Sequence, residues 1–118
     1  MGLIVDGQWV DEWYDTERSG GRFERQDSAF RHWIGSDDGR FAAESGRYHL
    51  YVSLACPWAH RTLIFRSIKR LEAHISVSVV DPLMLSEGWV FSEPEPLMGC
   101  KRMYEVYFAA DALYEGRV

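Results

Sequence analysis

The sequence has few cysteines and little positive charge. Its 118 residues contain two cysteines, Cys56 and Cys100, too few for a disulfide framework, which favours a reducing, cytoplasmic setting. Thirteen lysine and arginine residues against eighteen acidic residues give a net charge of −5. Proteins that bind nucleic acid or an anionic membrane usually carry a basic surface. We therefore expect neither nucleic acid nor a membrane as a partner.

Long hydrophobic runs are also missing. No apolar stretch approaches the roughly 18 residues that a transmembrane helix needs, and the N-terminus lacks the basic and apolar regions of a signal peptide. Hydrophobic residues make up 47% of the chain and charged residues 26%, values typical of a soluble globular protein. The length suits one domain or part of a larger protein.

The first third of the chain has no sustained periodicity. Turn-forming residues and scattered aromatic residues dominate positions 1–46. We predict that this segment is an irregular but ordered extension, in which a short helix around residues 28–34 is an option. The aromatic residues favour packing against other parts of the protein over a free tail.

The remainder of the chain has regular patterns. Residues 47–53 and 75–80 are rich in β-branched or aromatic residues and predict strands, and residues from 57 to about 71 favour a helix. A later helical pattern begins near residue 103, with Gly116 as its predicted stop signal. A helical crossover between two strands implies a parallel pair. The fold class is therefore α/β, with too few strands to complete a sheet.

Cys56 lies where the first of these strands gives way to the helix, directly before Pro57, which suits the first helical position. Unpaired N–H groups at a helix start favour a thiolate over a thiol, so this position predicts a nucleophile. Three residues on stands Ala59 instead of a second cysteine, which indicates a monothiol mechanism. The alternative is that Cys56 is a small buried hydrophobic residue, the interpretation we apply to Cys100.

The residues after Cys56 leave several interpretations open. Cys56 and His60 stand four residues apart, but two ligands do not make a structural zinc site, so we expect no metal. For Arg61 a salt bridge or an anion contact is open, with a structural role favoured. Trp58 either lines a substrate pocket or fills the core, and the sequence favours neither.

The string SLACPWAHR, residues 53–61, resembles the glutathionyl-hydroquinone reductases, the xi class of glutathione transferases. The likeness extends through residues 21–31 and 46–52 upstream, and through residues 76–84 and 88–91 downstream. It implies a thioredoxin-like N-terminal domain of a glutathione transferase. Residues 1–46 would be the family-specific extension, residues 47–118 the incomplete domain, and the C-terminal helical domain would be absent.

The resemblance also implies a function. Cys56 would be the catalytic nucleophile, and Trp89, with Pro57 and Trp58, would contact glutathione as co-substrate. The enzyme would remove glutathione from aromatic glutathionyl-hydroquinones, and the full-length form would be a homodimer. For a chain of this length we expect weak activity or none. Two alternatives stay open: another cysteine-type glutathione transferase, such as a dehydroascorbate reductase or thiol transferase, and a non-catalytic fragment.

Overall fold

The computed structural model describes residues 2–13, 15–23, 27–35 and 39–118. The chain divides into two compact units, one containing Phe30–Pro82 and the other Met1–Ala29 with Leu83–Val118. Residues 24–26 of the family string 21–31 lie outside the described residues. In chain order the elements are β1 (Leu3–Val5), β2 (Gln8–Val10), β3 (Tyr48–Ser53), α1 (Pro57–Ile68), β4 (Ile75–Val80), α2 (Met103–Ala110) and β5 (Gly116–Arg117).

The unit of Phe30–Pro82 is a strand–helix–strand arrangement. Strands β3 and β4 pair in parallel, in a register that runs from Tyr48 opposite Ile75 to Ser53 opposite Val80, and α1 connects them. Val80 is among the fully buried side chains of the protein. The two predicted strands and their parallel pairing are confirmed.

Helix α1 is shorter than predicted. It ends at Ile68, whereas the sequence pattern predicted an end near residue 71. The reason is a left-handed residue, Arg70 at φ 54. The N–H of Leu71 donates to the Arg66 carbonyl, and that of Arg70 donates to the Ser67 carbonyl. This pair of bonds is the Schellman motif, which terminates helices.

The other unit contains a three-stranded antiparallel sheet in the order β2–β1–β5. Asp6 and Gly7 connect β1 to β2 with φ values of 48 and 72, both positive as a type I′ hairpin turn requires. Ile4 of β1 is 1% exposed and belongs to the core. The prediction that residues 1–46 are irregular is therefore wrong for this hairpin. The helix considered around residues 28–34 is also wrong, since those residues form no helix.

Helix α2 begins where predicted but ends earlier. It stops at Ala110, and the next residue, Asp111, is extended. The Asp111 carboxylate accepts the N–H of Leu113 at 2.9 Å, a local side-chain bond that competes with helix. Gly116 is not a helix stop signal, because it lies in β5 opposite Ile4. Within the part of the chain that the structure describes, neither helix is long and apolar enough to cross a membrane.

Candidate functional site

A tight turn places Cys56 at the start of α1. The Ser53 carbonyl accepts the N–H of Cys56 at 3.1 Å, and Ser53 Oγ accepts the N–H of Ala55 at 3.2 Å. Ser53 is 4% exposed, so the turn is anchored in the core. Cys56 is extended, with φ −95 and ψ 115, and Pro57 opens the helix. The predicted position of Cys56 at the helix start is confirmed.

Cys56 is half-buried, and its side chain makes no capping hydrogen bond to the helix. The first turn of α1 contains no acidic residue. A helix start carries a partial positive charge, and a carboxylate in its first turn would neutralise that charge. The first turn of α1 therefore contains no carboxylate that would neutralise this positive charge next to Cys56. The nucleophilic role of Cys56 stays a prediction.

Trp58 and Arg61 form an exposed pair on the first turns of α1. Trp58 is 58% exposed, so of its two sequence interpretations, core filling is wrong. The Arg61 guanidinium carbon lies 4.7 Å from the centroid of the indole ring, a cation–π contact. The spacing of three residues, which brings side chains together on a helix, was the available signal. His60 is exposed.

No group of three or more His, Cys, Asp and Glu side chains in the described ranges could hold a metal ion. The pair of Cys56 and His60 therefore gains no further ligand from those ranges. The expectation that no metal takes part stays a prediction.

Trp89 belongs to the other compact unit, on a loop that runs beside the start of α2. The Trp89 carbonyl accepts the N–H of Met103 at 2.9 Å, and Val90 forms an antiparallel bridge with Arg102. Trp89 is half-buried. The structure thus brings Cys56, Pro57 and Trp58 together at the start of α1 and places Trp89 on a defined loop.

A charged cluster that the sequence patterns did not reveal lies at the start of α2. Arg102 forms ion pairs with Glu87 and Glu105. One carboxylate oxygen of Glu105 accepts the N–H groups of Lys101 at 2.8 Å and Arg102 at 3.0 Å. Burial alone would raise the pKa of Glu105, but these hydrogen bonds and the Arg102 charge outweigh it and hold that pKa below its usual range. A glutamate at the third helical position was the available signal.

The second cysteine lies beside a buried carboxylate. Glu95 is 3% exposed, and its carboxylate accepts the N–H groups of Leu97 at 2.9 Å, Met98 at 2.8 Å and Cys100 at 3.0 Å. Burial, the charges of Glu95 and Glu105, and a hydrogen bond to Glu95 together raise the pKa of the Cys100 thiol. This environment favours the neutral thiol and a structural interpretation of Cys100.

Comparison with known proteins identifies close relatives over the whole chain. The chain is 53% identical to glutathionyl-hydroquinone reductase YqjG of Escherichia coli, a match that covers 100% of this chain and 40% of that protein. The chain thus spans about two fifths of the length of the curated relatives it matches. No protein-family model matches the chain.

Two solved structures extend the comparison. The xi-class glutathione transferase of Natrialba magadii matches with a TM-score of 0.82 and 42% identity, over 100% of this chain and 36% of that one. The glutathione-bound structure of YqjG from Escherichia coli matches with a TM-score of 0.61 and 57% identity, over 66% of this chain and 27% of that one. The predicted family resemblance and fold class are confirmed. The chain has part of the thioredoxin-like α/β domain of glutathione transferases.

Proposed function

Because the chain matches the N-terminal portion of xi-class glutathione transferases, we propose that it supplies the nucleophilic half of a glutathione-dependent reductase acting on glutathionyl-hydroquinones. The observation that carries the proposal is Cys56 at the N-cap of α1, in a chain 53% identical to a glutathionyl-hydroquinone reductase. Glutathione is the co-substrate. In a longer form the protein acts as a cytoplasmic homodimer.

The reaction has two thiol steps. In the first, the Cys56 thiolate attacks the sulfur of the glutathionyl group, and a sulfur–sulfur bond forms as the bond from that sulfur to the aromatic carbon breaks. The aromatic carbon keeps the electron pair and takes a proton, which releases the hydroquinone. In the second, a glutathione thiolate attacks the mixed disulfide, releases oxidised glutathione and restores the Cys56 thiolate. The position of Ala59 in place of a second cysteine agrees with resolution by an external thiol.

The start of α1 supports the first step. Peptide N–H groups at a helix start stabilise negative charge, and Cys56 occupies that position with no acidic residue in the first turn. Cys56 is half-buried, so part of the residue is exposed to a reagent. An accessible sulfur in a locally positive environment is what a thiolate nucleophile requires.

Three further residues are proposed to bind glutathione. Pro57 and Trp58 follow the nucleophile directly, and both are exposed. Trp89 lies on the loop before α2, and its carbonyl accepts the N–H of Met103 at the start of that helix. A tryptophan ring offers a large rigid contact surface to a ligand at low entropic cost. The glutathione-bound structure of a relative supports glutathione as the ligand class.

The experiment pairs the two cysteines as test and control. Cys56→Ser and Cys100→Ser, made in a full-length version that includes this chain, are compared with the unaltered sequence in glutathione-dependent reduction of a glutathionyl-hydroquinone. Cys56→Ser should lower kcat/KM at least about a thousandfold, and Cys100→Ser should stay within about twofold. A second readout serves the chain at its present length: oxidised glutathione should add one glutathione to Cys56, detected by intact mass, and none to Cys56→Ser.

Other outcomes would point elsewhere. Undiminished turnover in Cys56→Ser would reject the nucleophile. Faster reduction of dehydroascorbate than of glutathionyl-hydroquinones would assign the same thiol to another cysteine-type glutathione transferase. Absence of both turnover and calorimetric glutathione binding would assign the chain to a non-catalytic role.

A further inference from the structure

Trp9 of the N-terminal hairpin packs directly on the loop that carries Trp89. Its indole Nε1–H donates to the Ser86 carbonyl at 2.8 Å. Its ring stacks on Tyr104 of α2, with centroids 4.8 Å apart and planes 16° from parallel. A β-carbon on Gly88 would come within 2.7 Å of the Trp9 ring. The ring therefore contacts the loop backbone itself, at a distance that only glycine permits.

The start of α2 also holds this loop. The N–H of Gly88 donates to the Leu85 carbonyl at 2.9 Å and closes a turn. Glu87 forms an ion pair with Arg102, and the Trp89 carbonyl accepts a backbone N–H from α2. Residues 85–88 are thus held both by Trp9 and by the start of α2, and Trp89 is the next residue along the chain.

We propose that Trp9 is a positioning residue that fixes the turn at residues 85–88 and thereby sets Trp89 for contact with glutathione. This inference rests on the proposed function, in which Trp89 binds glutathione. It gives the N-terminal hairpin a specific task in the site. Trp9 acts through the loop and does not itself touch the ligand.

The physical basis is preorganisation. A loop that is ordered before the ligand arrives loses less conformational entropy on binding, so its affinity is higher. Two restraints from Trp9 act on the loop backbone: a directional hydrogen bond to Ser86 and close packing on Gly88. Gly88 has φ +70, a conformation that glycine adopts without steric cost. Without the indole ring, only the contacts with the start of α2 would hold the loop.

The test measures loop order and ligand affinity separately. Amide hydrogen exchange at Gly88 and Met103 reports the two backbone bonds of the loop and requires no ligand. We expect Trp9→Ala to accelerate exchange at both amides about tenfold and to weaken glutathione binding about fivefold by calorimetry. Trp9→Phe keeps an aromatic ring but loses the bond to Ser86, so its effects should be about a third as large. Trp33→Ala, an exposed tryptophan of the other unit, is the matched control and should change neither readout.

A coupled pair of variants sharpens the test. Gly88→Ala should accelerate exchange as Trp9→Ala does, because the added methyl group collides with the indole ring. Trp9→Ala removes the ring with which the methyl group collides. Gly88→Ala should therefore accelerate amide exchange less in the Trp9→Ala protein than in the unaltered protein. Additive effects would contradict the contact.

The remaining outcomes separate this inference from the proposed function. Unchanged exchange in Trp9→Ala overturns the positioning role whatever happens to glutathione. Faster exchange with unchanged glutathione affinity overturns the link to the ligand. If the unaltered protein binds no glutathione, the proposed function and that link fail together, and the exchange comparison then stands as a result about the loop alone.

Discussion

The two helices found among the described residues begin in opposite ways. At α1 the N-cap residue is Cys56, which makes no side-chain capping bond, and the first turn contains no acidic residue. At α2 the carboxylate of Glu105 accepts the backbone N–H groups of Lys101 and Arg102. The positive end of α2 is therefore satisfied by the chain itself. The positive end of α1 lacks a side-chain cap, an arrangement that lowers stability but leaves the helix start suited to an anion.

The two cysteines follow the same contrast. Cys100 lies near the start of α2, where burial and the charges of Glu95 and Glu105 raise the pKa of its thiol. Cys56 lies at the start of α1, whose first turn contains no acidic residue. Both residues are half-buried, yet burial is the largest cause that raises the pKa of the Cys100 thiol, followed by the charges of Glu95 and Glu105. Burial and nearby carboxylates therefore mark Cys100 as a structural thiol, whereas a helix start without an acidic first turn marks Cys56 as the candidate nucleophile.

The largest effect expected from this contrast between the helix starts is a difference in alkylation rate between the two cysteines. At pH 7 iodoacetamide should modify Cys56 about a hundredfold faster than Cys100, because the thiolate is the reactive form and the pKa of the Cys100 thiol is raised. Peptide mass spectrometry over a time course measures both rates in one sample. Glu105→Gln removes one of the charges near Cys100 and should accelerate its labelling while leaving Cys56 unchanged. Equal rates at the two cysteines would remove the contrast between the helix starts.

The strand–helix–strand unit could be predicted from the sequence because its signals are local. Aromatic and β-branched residues mark β3 and β4, and Pro57 marks the first residue of α1. Together these signals also located Cys56 at the junction. The hairpin of β1 and β2 was missed, although Asp6–Gly7 is a strong turn signal, because strands of three residues are too short to show alternation.

Features that depend on distant residues could not be predicted. Gly116 pairs with Ile4 across almost the whole chain, and no local pattern encodes that contact. Glu95 is a carboxylate in a sequence of turn-forming residues, and only the folded loop shows it buried. The contact of Trp9 with Gly88 is likewise non-local. The chemistry of Cys56 was readable from neighbouring residues, whereas the support of the Trp89 loop required the tertiary structure.

A second prediction concerns how much the Glu105 carboxylate at the start of α2 stabilises the protein. Glu105→Ala removes hydrogen bonds from two backbone N–H groups and an ion pair to Arg102, and should lower the free energy of unfolding by about 2 kcal/mol. Glu105→Gln keeps an acceptor oxygen and should cost about 1 kcal/mol. Urea unfolding monitored by fluorescence measures both. Glu93→Gln, the same charge change on an exposed residue of the same unit, should change the midpoint little. If Glu93→Gln lowers the free energy of unfolding as much as Glu105→Gln does, the loss comes from the change in net charge and not from the cap of α2.

The smallest expected effect is a pH dependence that arises at α2. The pKa of Glu105 is lower in the folded protein than in the unfolded chain, so the folded state binds this proton less readily. The resulting stability is fully present above the unfolded value, about 4.3, and is lost as the pH falls through the lower folded value. The urea midpoint of the unaltered protein should therefore fall more steeply below about pH 4.5 than that of Glu105→Gln, which has no proton to take up at this position. If the urea midpoints of Glu105→Gln and of the unaltered protein fall in parallel with pH, ionisation of Glu105 does not stabilise the fold. The contrast between the starts of α1 and α2 would then rest on hydrogen bonds alone.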